Sequence, residues 1–173
     1  MKLNIFLDLD ETIIFSDNTN TQFDNLNCFQ SFQLHNYKVY KRPHLDDFLK
    51  CLNKLNCNIS VWSAGDKNYV MSIVKHIFKN FNLKFILTRD QCYECQKETG
   101  HLKDFKWLNN KINLNTFGYP ILIDDLLENC IPNKEHCINI APFNLHNPYS
   151  INDNELKKVI DILINNYLNI YYF

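Results

Sequence analysis

An α/β fold with a mostly parallel sheet is what this 173-residue sequence predicts, on three observations. Short apolar runs of strand length recur along the chain. Amphipathic stretches with helical spacing separate them. Two of the runs, FLDLDE and ILIDD, finish in clustered acids. Strands that alternate with helices imply a parallel sheet covered on both faces, and in such sheets ligands bind beyond the carboxyl ends of the strands.

The first strand is expected over residues 2–9, apolar and stopped by turn-forming acids. Residues 16–27, rich in Asn, Asp and Thr, read as loop. Residues 28–34 and 37–41 read as two short strands turning at His35-Asn36, a small hairpin insert. Pro43 then opens a helix whose Leu45, Phe48, Leu49, Leu52 and Leu55 share a face. A strand over 57–62 and a turn at Ser63-Ala64-Gly65-Asp66 follow. Tyr69, Val70, Ile73, Val74, Ile77 and Phe78 mark the next helix. Residues 84–87 are a short strand, and a polar, cysteine-containing connection is expected from there to about Leu102. Residues 104–112 look helical, and 119–123 and 137–140 are strands. Asp153 caps a last helix carrying Leu156, Val159, Ile160, Leu163 and Ile164. Without repeats or linkers, residues 1–173 are expected to form one domain, with the β insert at about 16–41.

The bulk numbers exclude several function classes. A formal net charge of −1 gives no general electrostatic case for nucleic acid or anionic membrane as partner. No apolar stretch approaches the roughly 20 residues that span a bilayer, and Met1-Lys2 leads into a strand rather than a signal peptide. A soluble, intracellular protein is expected, nuclear or cytoplasmic. Seven cysteines, an odd number, argue against a disulfide framework and for mostly reduced thiols. Asparagine makes up roughly one residue in seven, as an AT-rich viral or parasite genome would produce.

The chemistry gathers at strand ends. Asp8, Asp10 and Glu11 stand together although like charges resist ionising side by side, so a positive partner, usually a metal, is implied. Ser63 with Ala64-Gly65 ends a second strand, Asp124-Asp125 ends a later one, and Lys103 precedes a helix. Hard carboxylate oxygens, a hydroxyl, a glycine turn and a lysine suit a magnesium–phosphate site.

These pieces resemble a known family. Asp8-Leu9-Asp10-Glu11-Thr12 is similar to the DxDxT signature of haloacid-dehalogenase-like (HAD) phosphatases. KRPHLDDFL, VWSAG, Lys103-Asp104, LIDD and the tail INIAPFN…INDNEL follow in the order seen in phosphatases of the RNA polymerase II C-terminal domain, the NLI-interacting-factor-like group. The resemblance covers nearly the whole chain. It implies a Rossmann-like sheet with helices on both faces and a small β insert after the first strand. It also implies a protein serine/threonine phosphatase with Mg2+ as cofactor. Asp8 would be the nucleophile, forming an aspartyl-phosphate, and Asp10 the general acid and base. Asp8, the Asp10 carbonyl, and Asp125 or Asp124 would hold magnesium. Lys103, Ser63 and Ala64 would hold phosphate oxygens, Thr12 would brace the nucleophile loop, and Arg89 would lie near the substrate phosphate.

The sequence departs from the family in having Asp124-Asp125 for the usual Asp-Asn and Ser63 for the usual Thr. The polar stretch 90–100 is also long, and no second, phosphopeptide-binding domain is expected after the catalytic one. A phosphorylated protein is the expected partner, with the polymerase repeat foremost. Phosphotyrosine, a small metabolite, a nucleic-acid end, or a non-catalytic binding module of the same fold are the alternatives. Phe29, Phe32, Tyr37 and Tyr40 in the hairpin either wall an apolar substrate groove or cover the core. Cys92 and Cys95, with His101, invite a zinc reading that needs Cys130, His136 or Cys137 as fourth ligand, against the alternative of free thiols. His35, His44 and His146 read as surface or capping residues. The aromatic stretch 167–173 reads as packing on the sheet.

Overall fold

A computed structural model describes residues 2–18 and 28–168. Five parallel strands form the central sheet in the order β6-β5-β1-β7-β8. They are β1 (Leu3–Leu7), β5 (Asn58–Trp62), β6 (Leu83–Leu87), β7 (Tyr119–Asp124) and β8 (Cys137–Asn139). The chain builds outward from β1 to one side, then returns to its other side through β7. This reversal opens a crevice at the carboxyl end of β1.

The buried strands present alternate residues to two separate apolar layers, as a pleated sheet covered on both faces must. Ile5, Leu7, Ile59, Val61, Ile121 and Ile123 face a core shared with α1 (Leu45–Lys54), α2 (Lys67–Ile77) and α6 (Glu155–Ile162). Phe6, Trp62 and Leu122 face the other side, where α3 (Arg89–Thr99) contributes Cys92 and Cys95 and α4 (Phe105–Ile112) contributes Phe105, Trp107 and Leu108. Phe6 meets Phe105 edge-on at 5.2 Å and Trp62 at 6.0 Å.

A second, antiparallel sheet has the order β2-β4-β3, from β2 (Ile14–Asp17), β3 (Ser31–Leu34) and β4 (Tyr37–Lys41). The hairpin turns at His35, whose φ of 47° suits a tight turn. Fully buried Arg42 ties this sheet to the rest. Its guanidinium grips Asp153 at 3.0 and 2.7 Å and donates to the carbonyls of Thr12 at 2.8 Å and Ala141 at 2.6 Å.

The structure corrects the sequence reading at three places. The loop expected from Ser16 begins as strand, since β2 pairs with β4 through Asp17; residues 19–27 lie outside the described ones. The polar connection expected to Leu102 is largely the helix α3. It is opened by a capping box between Thr88 and Gln91 and stopped by Gly100 at φ 81°. Cys130 and Cys137 form a disulfide with a Cα separation of 5.3 Å, where reduced thiols were expected. That bond joins α5 (Leu127–Cys130) to β8 across a 3₁₀ turn at Ile131–His136. It also removes both cysteines from any zinc set. Cys92 and Cys95 are buried in the second apolar layer, with Cys92 against the Ser63 carbonyl and Cys95 against Thr99. Of the aromatic tail, residues 169–173 lie outside the described ones; Tyr167 packs on Tyr119.

Candidate active site

A cavity of about 500 Å3 opens at the carboxyl end of β1, lined by Asp8, Asp10, Ser63, Lys103, Asp125 and their neighbours. The chain enters it from β1, whose direction Asp8 continues by donating its amide to Ile123 at 3.0 Å. It then coils back on itself. The amides of Thr12, Ile13 and Ile14 all converge on the Leu9 carbonyl, and Glu11 takes a φ of 60° to complete the loop. This tight loop presents Asp8 and Asp10 to the cavity and turns Thr12 into the protein.

Lys103 is the floor of the site. Its side chain is 1% exposed, and its ammonium lies 2.5 Å from Asp8 Oδ1 and 2.6 Å from Asp124 Oδ2. Burial works against that charge, but Asp8 and Asp124 outweigh it and hold the lysine pKa above its usual value. Burial pushes Asp8 the other way from an ordinary aspartate, up to about 7, against the pull of Lys103 and with a contribution from Asp124. Asp10 is also raised, by burial, although the hydrogen bond from Tyr69 favours its charged form. Asp125 is raised by burial against a hydrogen bond from Thr12.

The two acids at the end of β7 face different ways. Asp124 is fully buried, accepting from Lys103, from the Asn129 amide at 3.1 Å on both oxygens, and from the Leu126 amide at 2.9 Å. Asp125 lines the cavity, and its Oδ1 accepts from Thr12 at 2.7 Å. Thr12 Oγ1 in turn accepts from the Asp125 amide at 3.1 Å. Thr12 therefore clamps β1's loop to β7 from below and does not line the cavity.

The far wall is the turn after β5. Ser63 Oγ accepts the Gly65 amide at 3.0 Å, which curls the turn towards the cavity. A Cβ at residue 65 would meet Tyr69 Cδ1 at 2.8 Å, so any larger residue here has to displace that ring. Arg89 leads α3 from this turn, its amide on the Gly65 carbonyl at 2.9 Å and its Nε on the Ala64 carbonyl at 3.0 Å. Its guanidinium stands at the cavity wall.

The geometry thus brings Asp8, Asp10, Ser63, Ala64, Arg89, Lys103 and Asp125 around one cavity, with Asp124 and Thr12 behind it. Among the described residues, no three His, Cys, Asp or Glu side chains converge closely enough to hold a metal on their own. Magnesium does not need them to, since it commonly takes one or two carboxylates with waters and substrate oxygens. Asp125 has one oxygen engaged by Thr12, which leaves the second for a cation, and Asp8 Oδ1, which accepts from Lys103, keeps a lone pair for the same cation. The donor set, all hard oxygen, fits magnesium.

Several contributors had no local signal in the sequence. Asn133 accepts the Phe105 amide at 2.9 Å and donates to the Lys103 and Asn129 carbonyls, both at 2.8 Å, so it carries the floor of the site. Tyr69 was legible only as part of a helix face. Its hydroxyl instead donates to Asp10 Oδ1. Of the hairpin aromatics, Tyr40 is core and Phe29 packs on Phe143. Phe32 stacks on His76 at 4.5 Å, and Tyr37 alone reaches the cavity.

The sequence profile of the NLI interacting factor-like phosphatase family matches residues 3–169. The chain is 29% identical over 171 residues to the CTD phosphatase-like protein 355R of Invertebrate iridescent virus 3, covering 90% of this chain and 91% of that protein. It is also 29% identical over 188 residues to the protein of the same name in Invertebrate iridescent virus 6, covering 96% of this chain and 99% of that protein. In fold it is similar to Fcp1, an essential RNA polymerase II CTD phosphatase, with a TM-score of 0.64 at 19% identity. That match covers 95% of this chain but only 62% of the Fcp1 chain.

Proposed function

The chain belongs to the NLI interacting factor-like phosphatase family, and from that premise we propose that it is a magnesium-dependent phosphatase of phosphoserine and phosphothreonine in proteins, acting through an aspartyl-phosphate on Asp8. The observation that carries the reading is the buried Lys103 ammonium, set against Asp8 at the floor of a cavity that Asp10 and Asp125 also line. A carboxylate so held keeps one oxygen pinned and offers the other to phosphorus.

In the first step Asp8 attacks the phosphoryl group, the bond to the substrate oxygen breaks, and that oxygen leaves with the bonding electrons and a proton from Asp10. In the second, Asp10 takes a proton from water as the water attacks phosphorus, and Asp8 is released. The raised pKa of Asp10 favours the protonated form that the first step requires. Lys103, the Ser63 hydroxyl and the Ala64 amide hold the equatorial phosphoryl oxygens, where negative charge must be stabilised. Arg89 meets the substrate at the cavity wall. Asp8, Asp125 and the Asp10 carbonyl would hold magnesium, which supplies the positive charge that lets a phosphate dianion approach these carboxylates. Asp124 serves Lys103 and not the metal, and Thr12 keeps Asp125 in place. The whole of 1–173 acts as one catalytic unit with the hairpin sheet as its insert.

The leading substrate is the phosphorylated C-terminal repeat of RNA polymerase II, by analogy with Fcp1. The test is phosphate release from phosphoserine heptad-repeat peptides, with magnesium or chelator, for wild type and Asp8→Asn. Magnesium-dependent release that is lost in the variant supports the proposal. Turnover of an aryl phosphate without turnover of these peptides refutes the substrate and keeps the mechanism. Inactivity on both, in folded protein, refutes the enzyme reading.

A further inference from the structure

One hydrogen-bonded chain at the cavity has no part in the chemistry above. The Tyr69 hydroxyl, on the first turn of α2, donates to Asp10 Oδ1 and also lies 2.5 Å from Ser16 Oγ on β2. A phenol carries one hydrogen. With that hydrogen on Asp10, the tyrosine oxygen can only accept from Ser16. The direction is therefore Ser16 to Tyr69 to Asp10, running from the insert sheet through α2 to the end of β1.

Three further contacts hold Tyr69 in this place. The Asp66 side chain accepts the Tyr69 amide at 3.0 Å, fixing the start of the helix. Gly65 leaves room for the ring beneath it. Tyr37 from β4 meets the ring edge-on at 5.7 Å. A polar group so thoroughly located, aimed at one oxygen of a catalytic carboxyl, does more than fill space.

We propose that Tyr69, backed by Ser16, is a positioning residue for proton transfer by Asp10. The inference rests on Asp10 being the general acid, as above. By occupying Oδ1, Tyr69 directs the Asp10 proton to Oδ2 and holds that oxygen towards the departing group. When Asp8 bonds to phosphorus and the bond to the leaving oxygen breaks, the electron pair stays on that oxygen and the Asp10 Oδ2 proton joins it. Loss of Tyr69 leaves the acid present but misaimed, and misplacement of a reacting group by about 1 Å costs up to about 100-fold.

The consequence is selective. An alkoxide leaving from phosphoserine needs the proton, whereas a nitrophenolate leaves without it. The experiment measures kcat/KM, which reports the first chemical step, for a series of phosphate esters. The series runs from nitrophenyl phosphate to a phosphoserine peptide, with the full chain as wild type, Tyr69→Phe, Ser16→Ala and Asp10→Asn. Tyr69→Phe is expected to lower kcat/KM about 10-fold for the phosphoserine peptide and about 2-fold for nitrophenyl phosphate, a fraction of what general acid catalysis supplies. Ser16→Ala should shift the series in the same sense by a smaller factor, and Asp10→Asn by a larger one. A uniform loss across all esters in Tyr69→Phe and Ser16→Ala, with Asp10→Asn still leaving-group dependent, overturns the positioning role and spares the acid. A uniform loss in Asp10→Asn overturns the acid assignment, and this inference with it. Should Tyr69→Phe fail to fold, Ser16→Ala reads the same chain from its other end.

Discussion

Replacing Lys103 with methionine removes a charge and keeps the volume. The folded protein holds this ammonium at 1% exposure between two carboxylates, Asp8 at 2.5 Å and Asp124 at 2.6 Å. Without it, two negative groups share a buried space with no cation. Breaking a buried pair by removing one partner costs about 3–5 kcal/mol. Two features of the site place Lys103→Met near the lower end. Burial already pushes the Asp8 pKa up to about 7 against the pull of Lys103, so without the lysine Asp8 takes up a proton more readily still. Asp124 keeps the Asn129 and Leu126 donors. The expected loss is therefore about 3 kcal/mol, or a Tm fall of about 6–12 °C at this chain length. Urea unfolding in chelator, so that no metal substitutes for the ammonium, measures it. Adding Asp124→Asn to Lys103→Met should recover part of the loss, because the amide no longer needs a counterion. A Lys103→Met protein within about 0.5 kcal/mol of wild type, the ordinary scatter of surface substitutions, would refute the view of Lys103 as the electrostatic keystone of the site.

Other expectations follow from single contacts. Gly65→Ala must push Tyr69 and Val70 aside, and overpacking of this kind costs about 1–3 kcal/mol; thermal unfolding with a parallel activity assay reads both effects. Asp125→Asn should raise the magnesium concentration for half-maximal activity more than Asp124→Asn does, because Asp125 alone of the pair faces the cavity; magnesium titrations of the two variants compare them. The Cys130–Cys137 bond should be found by peptide mapping without reductant, and closing so short a loop stabilises by about 2 kcal/mol, so reduction should lower Tm. Buried Cys57 and Cys92, whose thiol pKa values burial pushes up to about 11, should resist alkylation at pH 8 in the native protein and react on unfolding.

What the sequence makes legible here is periodic or strand-terminal. Leu45, Phe48, Leu49 and Leu52 announce α1 because their spacing is the burial pattern. Asp8 and Asp124-Asp125 announce the site because acids at the ends of apolar strands have few other uses. Helix α3 escaped because it buries only Cys92 and Cys95, too few for an apolar stripe. Its Thr88-x-x-Gln91 box and Gly100 were the signals that carried it. Asn129, Asn133 and Tyr69 escaped for a different reason. Their roles exist only once β7, α4 and β1 are brought together, and nothing in a lone asparagine or a helical tyrosine encodes its distant partner. The direction in which each of Asp124 and Asp125 points is likewise a property of the Asn129 and Thr12 contacts.

The proposed mechanism requires Asp8 to become covalently phosphorylated during turnover. Its most direct test is acid quench of the enzyme during turnover of a radiolabelled phosphoserine peptide, followed by borohydride reduction and mass mapping. The expected result is label on the protein that is lost at alkaline pH, a reduced residue at position 8, and neither in Asp8→Asn. Rapid turnover by wild type with no protein-bound phosphate at any quench time, and with activity surviving in Asp8→Asn, would contradict it.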